Sequence, residues 1–327
     1  MLHPVLTEFQ ELIDTDPVVR MYVNQMIAQV PTTKPYRKRH LESVTHMMRL
    51  IDEVLTMAPE FGGHMVATPL GAILDWTMGT PVGFAAYRDP RVNAMIKKIL
   101  STWCEFLNSG DSLYVLNDSP SGWKCAEARA AVGIEQYEHD PKDEHWGFAS
   151  WNDFFTRRFA GGERPVASPE DDKVIVSACE STPYGISTDV KRQDRFWIKS
   201  QPYSLADMLA NDDSVEPMNS QSYLAHVAAR AVILIEADDP VIGLMAFVAV
   251  GMSEVSSCLI GSEVTPGYHV LKGEELGYFQ YGGSTHCLVF RPGAIAEFAL
   301  AAIPQPHDPK APLMLVRSKL AIASTAV

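Results

Sequence analysis

Apolar residues recur every three to four positions along the first half of the chain, the period of helices buried on one face. An Asp16-Pro17 dipeptide, acceptor at the N-cap and proline in the first turn, opens a stripe of Val19, Tyr22, Val23, Met26, Ile27 and Val30. Asp89-Pro90 opens a longer one of Val92, Met95, Ile96, Ile99, Leu100, Trp103 and Leu107, and Val44, Met47, Leu50, Ile51, Val54 and Leu55 make a third. These stripes read as core. From about Lys173 the pattern turns to short β-branched runs broken by turn residues. Strands are expected over 173–178, 232–236, 241–251, 254–260 and 286–290.

The expected architecture is α+β: a helical N-terminal domain over 1–150 and a β-rich domain over 151–327. At the join, Ser150 and Asp153 suit a short capped helix, and Gly161-Gly162-Glu163-Arg164-Pro165 reads as a connector. At 327 residues the chain has room for two domains. A net charge of −13 speaks against nucleic acid and anionic membrane surfaces as partners. Gly62 to Tyr87 is the most membrane-like stretch, but Asp75, prolines and glycines interrupt it, so no stable membrane insertion is expected. The N-terminus lacks the basic residues and apolar run of a targeting peptide, making a cytoplasmic location the default. Five widely spaced cysteines form neither a disulfide framework nor a zinc cage, and no metal is expected.

The chemistry concentrates in Lys272-Gly273-Glu274-Glu275-Leu276-Gly277-Tyr278-Phe279, followed by Gly282-Gly283-Ser284-Thr285-His286. Taken alone, two glycines before a serine describe a turn. The whole pattern resembles the phosphatidylserine decarboxylase family of pyruvoyl enzymes. Further matches follow in the family's order: Phe154-Phe155-Thr156-Arg157-Arg158, Arg164-Pro165-Val166, Val176-Ser177-Ala178-Cys179-Glu180, and Ile198-Lys199 ahead of Tyr203-Ser204-Leu205. Gly-Gly-Ser and the long helical region look closer to a soluble branch, the fungal L-tryptophan decarboxylases.

The resemblance implies self-cleavage between Gly283 and Ser284, with Ser284 converted to a covalent pyruvoyl group, and no metal or external cofactor. The two fragments would stay associated. The substrate would be a small-molecule aromatic L-amino acid, L-tryptophan first, with tryptamine as product; phosphatidylserine is the alternative. An acidic residue orients a histidine that deprotonates the serine, and Glu180 stands where the family carries aspartate. The family's histidine lies in a Tyr-His-Arg-x-His-x-Pro segment. Here the chain runs through Glu216-Pro217-Met218-Asn219 without it. A few dozen residues of the pattern are missing there, so unpaired strand edges are expected nearby, and an unprocessed, inactive relative is a further alternative. His286 shares a strand face with Ser284 and is the substitute base to consider; His269, His226 and Lys199 are weaker candidates for the site.

Overall fold

The structure, a computed structural model, describes residues 2–30, 41–62, 69–198, 201–209, 230–251, 257–280, 285–305 and 311–325. It divides into two compact units, one mainly of Met1–Glu135 with His139–Arg157, the other mainly of Gln136–Glu138, Arg158–Gln280 and Ser284–Val327.

The first unit is helical: α1 (Pro4–Thr15), α2 (Pro17–Ala28), α3 (Val44–Val54), α4 (Pro69–Met78), α5 (Pro81–Arg88), α6 (Pro90–Leu107), α7 (Ala126–Val132) and α8 (Trp151–Phe155). Both Asp-Pro starts are capped. The Asp16 carboxylate accepts from Val18 N at 2.9 Å and Val19 N at 3.1 Å, and Asp89 accepts from Arg91 N at 2.9 Å. Each such cap satisfies backbone N–H groups that have no partner inside the helix. Ser150 caps α8 by accepting from Asp153 N at 3.0 Å, while Asp153 returns a bond from Ala149 N at 2.9 Å. The periodic positions are the buried ones: Val19, Val23, Met26 and Ile27 on α2, and Val92, Met95, Ile99, Trp103 and Leu107 on α6. They join Trp146, Trp151 and Phe154 in one core. Inside it Trp123 lies between Phe61 and Phe154, with ring centroids at 5.5 and 5.3 Å, and its indole donates to Pro59 O at 2.7 Å. The apolar stretch over 62–87 contains α4 and α5, and no helix among the described residues is long and apolar enough to cross a membrane.

The second unit is built from short antiparallel strands: β1 (Val174–Val176), β2 (Phe196–Ile198), β3 (Gln201–Tyr203), β4 (Arg230–Glu236), β5 (Leu244–Val250), β6 (Ser257–Ile260), β7 (Gly277–Gln280), β8 (Thr285–Val289), β9 (Ile295–Phe298) and β10 (Lys319–Ala323). They pair as β1-β10-β9, β2-β3, β4-β5-β8 and β6-β7. A short helix, α9 (Leu205–Met208), follows β3 and opens on a reciprocal Ser204–Asp207 capping box. Tyr203 and Met208 pack on Ala246, Val248 and Val250 of β5, with Val232, Cys287 and Val289 around them.

Two strands are shorter than the apolar runs suggest. β1 covers only Val174–Val176, and β5 begins at Leu244, because 240–243 form a turn. Arg291 fixes that turn, donating to Ile242 O and Val241 O at 3.1 Å each and also to Pro240 O. The unpaired strand edges expected near Pro217 and Met218 fall outside the described residues.

Candidate active site

The Lys272–Phe279 motif is a brace. Lys272 Nζ donates to the carbonyls of Ser168 at 2.7 Å and Asp171 at 3.0 Å, more than a hundred residues back in the chain. Gly273 takes φ +79°, where a Cβ would meet Val166 Cγ2 at 2.5 Å, and its carbonyl accepts from Arg317 Nε at 2.7 Å. Only glycine fits both demands. Glu274 accepts from Leu271 N at 2.6 Å and from the Tyr268 hydroxyl. The Tyr268 bond, followed by the Leu271 bond, holds the Glu274 carboxyl below its ordinary range. Gly277 starts β7 so close to β6 that a Cβ would stand 1.9 Å from Leu259 O. The motif residues therefore fix the path into β7, which begins at Gly277, five positions ahead of Gly282.

Gly283 and Ser284 lie outside the described residues, as do Lys199 and His226. The strand that follows them is fully described. β8 hydrogen-bonds to β5 in the register Thr285↔Val250, His286↔Ala249 and Cys287↔Val248. His286 stacks on Phe247, ring centroids 5.7 Å apart and planes 25° apart. Burial keeps the imidazole below its ordinary pKa, hence neutral near pH 7, the form that accepts a proton. Alternation sends Cys287 to the opposite face, against the Tyr203–Val248 cluster, where burial pushes its thiol up.

Glu180 follows β1. Its two carboxylate oxygens accept from Arg164 Nε at 2.7 Å and Nη2 at 2.8 Å. The same guanidinium reaches Gln136 Oε1 at 2.7 Å and lies over the Phe159 ring, 4.2 Å from its centroid, and Phe159 stacks on Tyr137 at 4.6 Å. The ion pair raises the pKa of Arg164, which is only 6% exposed, beside a Glu180 side chain that is 18% exposed. No hydrogen bond joins Glu180 to His286 among the described residues. The structure thus gives Glu180 an arginine partner that sequence reasoning missed, although Arg164-Pro165 and Glu180 both stood in recognised motifs. His269 sits exposed in the 265–269 turn. Among the described residues no group of three His, Cys, Asp or Glu could hold a metal ion.

Two family models, both described as phosphatidylserine decarboxylase, match residues 3–132 and, in two stretches, 151–228 and 214–304. The decarboxylase iboD of Amanita muscaria is 31% identical, over 76% of this chain and 94% of its own length. The chain belongs to the phosphatidylserine decarboxylase family. As a family member it is a decarboxylase, a carboxy-lyase of a family that uses a pyruvoyl group. The L-tryptophan decarboxylase of Psilocybe cubensis is 28% identical, over 91% of this chain and 82% of its own. A phosphatidylserine decarboxylase proenzyme of Chlamydia trachomatis is 23% identical, over 68% and 82%.

The relatives carry positions that this chain lacks. The Psilocybe cubensis alignment runs over 373 positions but takes in 91% of a 327-residue chain, about 298 residues. About 75 aligned positions, the difference, therefore have no residue in this decarboxylase. The two stretches of the second family model overlap over 214–228, the segment that contains Pro217 and Met218.

Proposed function

We propose that this protein is a pyruvoyl-dependent decarboxylase of a soluble aromatic L-amino acid, L-tryptophan foremost, releasing tryptamine and carbon dioxide. The observation that carries this reading is the match to a fungal L-tryptophan decarboxylase across 91% of this chain, helical half included. The net charge of −13 supports it over a lipid substrate, since an acidic surface is repelled by anionic headgroups.

The catalytic domain is assigned to 151–327, with the cleavage point between Gly283 and Ser284. Ser284 Oγ gives up its proton to a base and attacks the Gly283 carbonyl, so the peptide C–N bond is exchanged for an ester C–O bond. Loss of the Ser284 α-proton then breaks the Cβ–O bond, which frees the Gly283 carboxylate. The dehydroalanine left at 284 tautomerises to an imine, and water replaces its nitrogen, releasing ammonia and leaving a ketone. His286 is assigned as the base: it is neutral, held by β5 and Phe247, and two residues from Ser284. Glu180 is assigned the acidic role, acting as an Arg164-bound carboxylate.

The residues next to position 284 fit a pyruvoyl group, because Thr285–Val289 are anchored along β5 among apolar side chains. Such a group supplies a carbonyl that accepts the electrons left when carbon dioxide departs. The two fragments are proposed to stay together, since β8 pairs with β5 and β10 with β1, across the cut.

A second reading, an unprocessed and inactive chain, rests on the roughly 75 aligned positions that have no residue here. Intact-mass analysis of the purified protein separates the two. Fragments ending at Gly283 and beginning with a pyruvoyl group support the enzyme; a single full-length mass supports the unprocessed chain. On processed protein, carbon dioxide release from L-tryptophan but not from phosphatidylserine vesicles supports the proposed substrate, and the reverse result replaces it with the lipid.

A further inference from the structure

The backbone on either side of Glu180 is anchored. Arg317 N donates to Ser177 O at 2.9 Å, and Arg317 O accepts from Ala167 N at 3.0 Å. Ser177 lies three residues before Glu180 and Ala167 three after Arg164, so residue 317 bridges the two segments that carry the ion pair. Beyond Glu180, Ser181 and Met314 exchange backbone hydrogen bonds in both directions, at 3.1 and 2.9 Å. These bonds place the Glu180 backbone. They leave the torsions of its long side chain to be set by what the carboxylate meets.

What it meets is a guanidinium that is itself fixed. Arg164 Nε and Nη2 hold the two carboxylate oxygens, Nη2 also donates to Gln136 Oε1, and Nη1 donates to Glu163 O at 3.0 Å. Phe159 lies against its face. A planar fork committed at every nitrogen cannot follow a turning carboxylate, so it selects one orientation of it. The fork uses one lone pair on each oxygen and leaves the other as an acceptor for a base N–H.

We propose that Arg164 is a positioning residue for self-cleavage, acting through Glu180 by presenting that carboxylate in a single orientation to the base that activates Ser284. The inference rests on the assignment of the acidic role to Glu180. Such a carboxylate orients its base and balances the charge the base gains with the proton, and both effects weaken once the carboxylate can turn.

The rate at which newly made full-length chains are cut between 283 and 284, followed by intact mass during cell-free synthesis, tests it. Arg164→Gln is expected to slow cutting at least about tenfold, and Arg164→Lys, which keeps the charge and loses the fork, by a smaller factor. Glu180→Gln should slow it about a hundredfold. Added to Glu180→Gln, Arg164→Gln should change the rate by less than about twofold, because residues that act as one unit are not additive. An arginine that only supports the fold slows cutting by the same factor in both backgrounds, and that result overturns the proposal, as does Arg164→Gln cut as fast as the parent. Should Arg164→Gln fail to fold, Gln136→Met, which withdraws one support of the guanidinium and leaves the ion pair, enters the same cycle. A slowing of about threefold that vanishes beside Glu180→Gln then supports the proposal, and an equal or absent slowing overturns it. Cutting that survives Glu180→Gln overturns the assignment of Glu180 and this proposal with it. A parent chain that is never cut removes the cleavage reading itself, whereas a parent and Arg164 variants cut alike leave that reading standing and overturn the proposal alone.

Discussion

A single guanidinium, that of Arg164, holds both oxygens of the Glu180 carboxylate, at 2.7 and 2.8 Å. The arrangement is bidentate and mostly shielded from water, so neither partner is free to leave without stranding the other. Arg164→Ala is expected to cost about 3 kcal/mol of unfolding free energy, from the orphaned carboxylate and the lost contact with Phe159. Arg164→Lys keeps the charge but not the fork and should cost about half as much. Urea unfolding of the three proteins checks the order.

His286 sets a pH dependence. Burial holds its pKa below the ordinary 6.5, so between its folded value and 6.5 the unfolded chain binds more protons than the native one. Stability is therefore whole above about pH 6.5 and falls as the pH drops below it. Asp16, Asp89, Asp143 and Glu274, whose carboxyls are also held low, act at more acid pH, below about 4. Comparing urea midpoints at about pH 7.5 and 5.5, His286→Phe should show a smaller drop than the parent protein.

Two glycines should differ sharply on substitution by alanine. At Gly277 the new Cβ would stand 1.9 Å from the Leu259 carbonyl oxygen, a backbone atom fixed by the β6–β7 pairing. At Gly293, with φ +77°, it meets nothing within 4 Å. Gly293→Ala should cost only the conformational term, about 1 kcal/mol. Gly277→Ala should cost about 3 kcal/mol or more, since strands must part. Thermal melting ranks them.

Lys272→Met removes two hydrogen bonds to the carbonyls of Ser168 and Asp171. A loss of about 1–3 kcal/mol is expected. Limited proteolysis should show faster cutting within 165–172, where the backbone is no longer tied down. Unchanged cutting there would sink the bracing role.

Much of the helical half was legible because its signals are local. Asp16-Pro17 and Asp89-Pro90 announce their own helices, and a buried stripe needs only the period. α4 and α5 were hidden in a stretch apolar on nearly every side, where no period stands out. The Lys272–Phe279 motif was recognisable as a string, but the work of its residues was not. Lys272 serves carbonyls more than a hundred positions away, and Glu180 meets an arginine sixteen residues earlier. Such pairings are made by the fold and leave no spacing rule in the sequence. Glu180 consequently reads as an isolated charge until Arg164 is seen across from it.

The order of strands along the chain also fixes what a cut would do to unfolding. β8, β9 and β10 all come after residue 284, whereas β5 and β1, to which β8 and β10 are zipped, come before it. In the intact chain these ladders close loops within one molecule, and opening them separates no polypeptides. Severed at 283, the same ladders join two polypeptides, and the melting temperature of the β-rich unit would fall on dilution as it does for any dissociating pair.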